Sequence, residues 1–170
     1  MDRSLFKHYE ALQRKIDRYC DQGRQKFGPR LQCRAGCALC CAQDIAVLPV
    51  EFHFLRAHPA ITEATKQLGT RTSQGCVFLH EDRCTIYQAR PVICRTHGLP
   101  LLVRSGGTQQ RDCCPLNTRS LVLESLERSD LLDLETLNTM LGAVNLLFCR
   151  QTGREREQKH RLSSLLTIQG

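Results

Sequence analysis

The sequence predicts a mainly α fold: one small domain, 1–170, of helices around a cysteine-rich loop region, with one or two short β-hairpins. Three observations predict it. Apolar residues recur at helical spacing near both ends of the chain, cysteines crowd its middle, and turn-forming residues separate short apolar runs. With 170 residues, 41% of them hydrophobic, the chain supplies one core. Aromatics are only 5% and Trp is absent, against 11 cysteines, so a cysteine-organised centre replaces part of the ordinary packing.

Taken in order, residues 2–27 carry Leu5, Tyr9, Leu12, Ile16 and Tyr19 at spacings of four and three, the stripe of an amphipathic helix that Gly28-Pro29 stops. Residues 30–44 hold the run Cys33-x3-Cys37-x2-Cys40-Cys41 with Gly36 and few apolar residues, which makes a loop or a short irregular helical turn. Pro49 opens a helix through about His58, because a first-turn proline forfeits no internal hydrogen bond. The polar stretch from Pro59 to Gly75 holds another short helix. Cys76-Val-Phe-Leu79 reads as a short strand, and His80-Glu-Asp-Arg83 as the turn to Cys84, giving a small hairpin. Pro91 starts a helix bearing Cys94. Leu99–Val103 and Gln109–Asp112 flank Arg104-Ser-Gly-Gly107, a second hairpin signal. After Pro115 the chain is leucine-rich and helical. Leu134, Leu137, Leu141, Val144 and either Leu147 or Phe148 mark a helix over about 131–149. The charged tail after Gly153 frays unless Leu162, Leu165 and Leu166 dock. The cysteine region thus spans 31–118, with helical segments 2–27 and 119–166 packed on it.

An odd number of cysteines prevents complete pairing within the chain. The first ten residues lack the apolar core of a secretory signal, and no stretch reaches the ~18 apolar residues of a membrane span. We read the chain as cytoplasmic, with no membrane partner. In a reducing compartment, thiols at these spacings act as ligands rather than disulfides. The 24 basic and 17 acidic residues give +7 with cysteines counted neutral. Each zinc or cubane cluster held by four thiolates subtracts about two charges, leaving only a mildly basic protein. No RNA-recognition signature or aromatic–basic interleaving accompanies the charge, so nucleic acid is not the expected partner. Ser-His-Asp sets, phosphate-cradling glycine loops and paired carboxylates do not emerge either.

A straight helix over 33–41 would place its four thiols within about 100° of one face, but would set Cys33 and Cys41 about 12 Å apart. That is too far for one tetrahedral ion with ~2.3 Å bonds to sulfur. Either the segment folds tightly at Gly36, or its thiols serve a polynuclear cluster or two metals. Cys37, Cys40 and Cys41 form the tightest set, and need partners from elsewhere. Cys84 and Cys94 are the natural candidates, with Arg90, Arg95 and a helix N-terminus favouring a thiolate at Cys94. Surface capping is the plain alternative for both arginines, and more so for Arg90. His97 stands either as a ligand or proton donor beside the site, or as a loop-capping histidine. Cys20 and Cys149 fall on apolar helix sides, where a small buried hydrophobe is the ordinary reading.

The combination of Cys33-Arg-Ala-Gly-Cys37-Ala-Leu-Cys40-Cys41, Cys84-x-Ile86-Tyr87-x2-Arg90-Pro91-x2-Cys94-Arg95 and Cys114-Pro-Leu-Asn117 resembles the bacterial cysteine-cluster family of zinc- or iron-chelating domains, a related domain of which occurs in flagellin lysine N-methylase. The resemblance covers about residues 31–118. It implies a site of about eight cysteines: Cys33, Cys37, Cys40, Cys41, Cys76, Cys84, Cys94 and Cys114. Cys114 is preferred over Cys113 for its Cys-Pro-Leu-Asn context. Glu51-Phe52 departs from the Glu-Ala expected early in the following helix, a change in packing more than in chemistry. Thiolate donors suit both zinc and iron–sulfur clusters. Adjacent Cys40-Cys41 departs from the separable pairs of structural zinc sites. The expectation is therefore a [4Fe-4S] cluster, with zinc the alternative, in a redox or electron-transfer protein acting with a protein redox or substrate partner. A zinc-binding structural or interaction module, and an accessory or catalytic domain related to protein lysine N-methylation, are the competing functions. The chain leaves no obvious room for a separate cosubstrate domain.

Overall fold

The computed structural model describes residues 3–32, 36–68 and 75–167. In chain order the elements are α1 (Lys7–Phe27), β1 (Ala46–Val47), α2 (Pro49–Arg56), α3 (Pro59–Leu68), β2 (Leu79–His80), β3 (Arg83–Cys84), α4 (Val92–Thr96), β4 (Leu101–Ser105), β5 (Thr108–Asp112), α5 (Pro115–Thr118), β6 (Leu132–Asp133), α6 (Leu134–Thr152), β7 (His160–Arg161) and α7 (Ser164–Thr167). The protein is mainly helical, with short sheets, as the sequence predicts. None of its described helices is long and apolar enough to cross a membrane. Two compact units are distinguished by their internal contacts: a first from 3–9, 36–91 and 144–167, and a second from 10–32 and 92–143.

In the first unit, Phe52, Leu55, Ile61, Phe78, Ile86, Leu162 and Leu165 form the core. Pro49 starts α2 as expected. The amide of Val50 donates to Asn145 Oδ1 at 3.1 Å. Buried Glu51 accepts from Leu48 N and from the Tyr9 hydroxyl, each at 3.3 Å. The tail docks: β7 pairs antiparallel with β1, Ala46 opposite Arg161, while Leu162 and Leu165 enter the core. Phe52 stacks on His160 at 4.5 Å, so the departure at position 52 is a packing contact with the tail. On α6 the buried residue is Phe148, stacked on Phe6, whereas Leu147 is 43% exposed.

The expected strand at 76–79 is corrected by the structure. Cys76 to Phe78 curl into a turn, Leu79 N returning to Cys76 O at 3.0 Å, and only Leu79–His80 pairs with Arg83–Cys84. Glu81 and Asp82, at φ 48° and 57°, form the tight turn between them.

In the second unit, a three-stranded sheet has the order β5-β4-β6, with β4 antiparallel to β5 across Gly106-Gly107 and parallel to β6. Its core gathers Phe27, Leu102, Cys113, Leu121, Leu126 and Leu131. The helix expected to follow Pro115 stops after four residues. One reason lies in Arg111, whose Nη1 donates to the carbonyls of Leu123, Glu124 and Leu126 at 2.5–3.0 Å. Leu123 O besides accepts only the 3-10 bond from Leu126 N, at 3.3 Å, and the stretch forms 3-10 turns at Leu123–Ser125 and Arg128–Asp130.

Candidate metal centre

The ten described cysteines are thiols without disulfides; Cys33 lies outside the described residues. Of the eight expected ligands, the first unit holds Cys37, Cys40, Cys41, Cys76 and Cys84, and the second holds Cys94 and Cys114.

Within the first unit, three chain segments bring their sulfurs into one neighbourhood. A 3-10 turn, Leu39–Cys41, presents two of them, the short irregular helical turn that the sequence allows. Cys76 is tied to it by its amide, which donates to Cys41 O at 2.8 Å. The β2–β3 hairpin then returns the chain so that Cys84 stands opposite Leu79.

The electrostatics record the same grouping. Burial first, and then the negative charges of Cys41 and Cys37, push the Cys40 thiol up to about 11; it is exposed on one side and crowded on the other. Burial and then Cys76 raise Cys41, with Cys84 adding to it, while a hydrogen bond with Cys40 and the charge of Arg90 oppose the rise. Cys76 and Cys84 are also raised, by burial first, and each feels other thiolates of the set. Four such thiols cannot share anionic charge unaided. A soft cation is what relieves that repulsion, and all-sulfur donors suit zinc or iron.

Two backbone amides already favour the charged form. Phe78 N–H faces the Cys76 sulfur, and Ile86 N–H faces the Cys84 sulfur, each two residues beyond its cysteine. Phe78 and Ile86 are both buried, so the core itself fixes these turns. Arg90 supplies a positive charge felt at Cys41 and Cys84. Its guanidinium lies 3.4 Å from the Tyr87 ring centroid, and its Nε donates to Tyr87 O at 2.9 Å. The capping role and the electrostatic role thus coexist in one residue. The donor set fits a soft metal in its chemistry. No three His, Cys, Asp or Glu side chains among the described residues stand in ion-binding arrangement.

The second unit treats its cysteines differently. Cys20 Sγ donates to Arg95 O, and Cys113 Sγ to Gly98 O, each at 3.5 Å. Asn117 is fully buried: its Nδ2 donates to Gly98 O, and its Oδ1 accepts from Gln32 N, both at 2.6 Å. It also caps Cys114 through Asn117 N to Cys114 O at 2.8 Å, so it binds together the segments beside Cys33, Cys94 and Cys114. Buried Arg95, expected beside the Cys94 thiolate, directs Nη1 to both oxygens of Asp17, at 2.7 and 2.9 Å. His97 is exposed, its pKa lowered first by desolvation and held back by Asp112. Cys149, in the first unit, is buried and donates to Asn145 Oδ1 at 3.8 Å, the reading expected for a small core residue.

Sequence reasoning did not single out the amides of Phe78 and Ile86 beside the cysteine sulfurs. The signal available was a repeat, Cys-x-apolar at 76–78 and at 84–86. Residues 32–115 match the family model CxxCxxCC, whose description reads "Putative zinc- or iron-chelating domain". No match was found among curated proteins or among solved structures.

Proposed function

Because residues 32–115 belong to the CxxCxxCC family of zinc- or iron-chelating domains, we propose that the first unit holds a [4Fe-4S] cluster through Cys40, Cys41, Cys76 and Cys84, and exchanges electrons with a larger protein partner. The observation that carries this reading is the convergence of three cysteine-bearing segments: the 3-10 turn Leu39–Cys41, Cys76 tied to Cys41 O by its amide at 2.8 Å, and Cys84 returned by the β2–β3 hairpin. Side chains of consecutive residues reach different irons of a cluster more readily than one tetrahedral ion, which favours a polynuclear centre at Cys40-Cys41. When bound, such a cluster supplies one-electron transfer. Cys33, Cys37, Cys94 and Cys114 are not needed for four-thiolate ligation. Cys40, beside the 63% exposed Leu39, gives the partner its approach.

A structural zinc site is the second reading, supported by the same all-sulfur donor set. Anaerobic purification with iron, zinc and acid-labile sulfide analysis separates the two. The expected result is a brown protein whose visible absorption bleaches with dithionite. A colourless protein with stoichiometric zinc overturns the cluster and leaves a module that unfolds on chelation.

A further inference from the structure

We infer that Gly75 is a positioning residue of this centre, the residue that lets Cys76 reach Cys41; the inference rests on the metal-centre reading above. Gly75 has φ +112°, a region that side-chain-bearing residues rarely enter. Space is the stronger constraint. A Cβ placed there would lie 2.7 Å from the Cys41 carbonyl oxygen and 3.5 and 3.6 Å from the backbone of Ala42. These are main-chain atoms, so no rotamer change removes the clash. The same Cys41 oxygen accepts the Cys76 amide at 2.8 Å. One carbonyl therefore both ties down the cysteine and fills the space that any side chain at position 75 would need.

The size of the effect follows from the contact. Ordinary packing begins near 3.4 Å, so a methyl group forces the segment back by about 0.7 Å. Metal–ligand distances hold to about 0.2 Å, so the Cys76 sulfur would leave its bonding range unless the surrounding chain yields. Gly36, inside the cysteine run, provides the contrast: it too has positive φ, +87°, but nothing among the described residues stands within 4 Å of its Cβ position. Alanine there carries backbone strain without the clash.

The full-length protein is titrated with Co2+, reading the thiolate-to-cobalt charge-transfer band and affinity by chelator competition. Gly75→Ala is expected to weaken binding by about 10–100-fold, the range for residues that orient a ligand, and to weaken the band. Gly36→Ala keeps the wild-type band. In a Cys76→Ser background, Gly75→Ala adds no further loss, because its effect runs through that sulfur. Wild-type binding by Gly75→Ala overturns the inference, as does a full additional loss on top of Cys76→Ser. A Gly75→Ala protein that fails to fold without metal also overturns it, since the residue then serves the unit and not the sulfur. If the wild-type chain takes up neither cobalt nor, on anaerobic reconstitution with iron and sulfide, a cluster, the metal-centre reading itself falls and this inference falls with it.

Discussion

Cys149 apart, the same side chain meets different partners in the two units. In the first, Cys40, Cys41, Cys76 and Cys84 lie near enough for each to raise the cost of charge on others of the set. In the second, Cys20 and Cys113 spend their S–H on backbone carbonyls, which requires the proton to stay. A thiol that donates is a small core group; a thiol that accepts an amide and faces other sulfurs is a ligand in waiting. The partner of the sulfur, rather than the burial of the cysteine, separates the two roles.

The largest test of that contrast is ligand removal. Cys76→Ser or Cys84→Ser should strip most of the bound metal, with a loss greater than the ~100-fold that removing an outer partner costs. Cys20→Ser and Cys113→Ser should keep wild-type stoichiometry by elemental analysis. Full metal retention in Cys84→Ser would break the comparison.

Acid offers the next test, confined to the first unit. His53 is 3% exposed, stacks on Phe148, and its Nδ1 has no hydrogen-bond partner among the described residues. Burial above all, then Arg154, Arg56 and His160, lowers its pKa from 6.5 to about 4. The unfolded chain takes up a proton below 6.5 and the folded chain only near 4. The stability that neutral His53 contributes is therefore complete above 6.5 and is lost as pH falls to about 4. The loss is on the order of 3 kcal/mol. Urea midpoints across that window should fall steeply for the wild-type chain and flatten for His53→Gln, with the change in amide exchange confined to the first unit.

The smallest expected effect sharpens the comparison at the edge of the centre. Tyr87→Leu removes the ring beneath Arg90 and should cost about 0.5–1 kcal/mol in urea denaturation, leaving metal stoichiometry unchanged. Lost metal would move Tyr87 from supporting an arginine to holding the site.

Much of this arrangement was legible in the sequence where periodicity or local chemistry decides it. The stripe from Tyr9 to Ile16 is buried on α1, and Gly106-Gly107 turns the predicted hairpin. The docking of Leu162 and Leu165 was readable as apolar residues in a charged tail. The misses share a cause. Residues 76–78 have strand-like side chains, yet the Cys76 amide is held by Cys41 O and the segment curls into a turn instead. The leucine-rich stretch after Pro115 has helical composition, yet Arg111 from another segment takes its carbonyls. Gly75 matters because Cys41 stands against it, and Arg95 because Asp17 does. Each depends on a residue distant in sequence, which spacing alone does not encode. Cys113 and Cys114 are neighbours that differ only in what their atoms meet.

The pairing of β1 with β7 has a consequence for biosynthesis. Asp44, three residues after the cysteine run, accepts from the amide and hydroxyl of Ser163 at 3.1 and 2.7 Å, across 119 positions of chain. During vectorial synthesis the run leaves the ribosome long before its closing strand exists, at about 5–20 residues per second. For several seconds the nascent thiols stand without their finished unit. The first unit is therefore complete only once Ser163 has been made, and a chain interrupted before it would carry the cysteine run without the β1–β7 pairing.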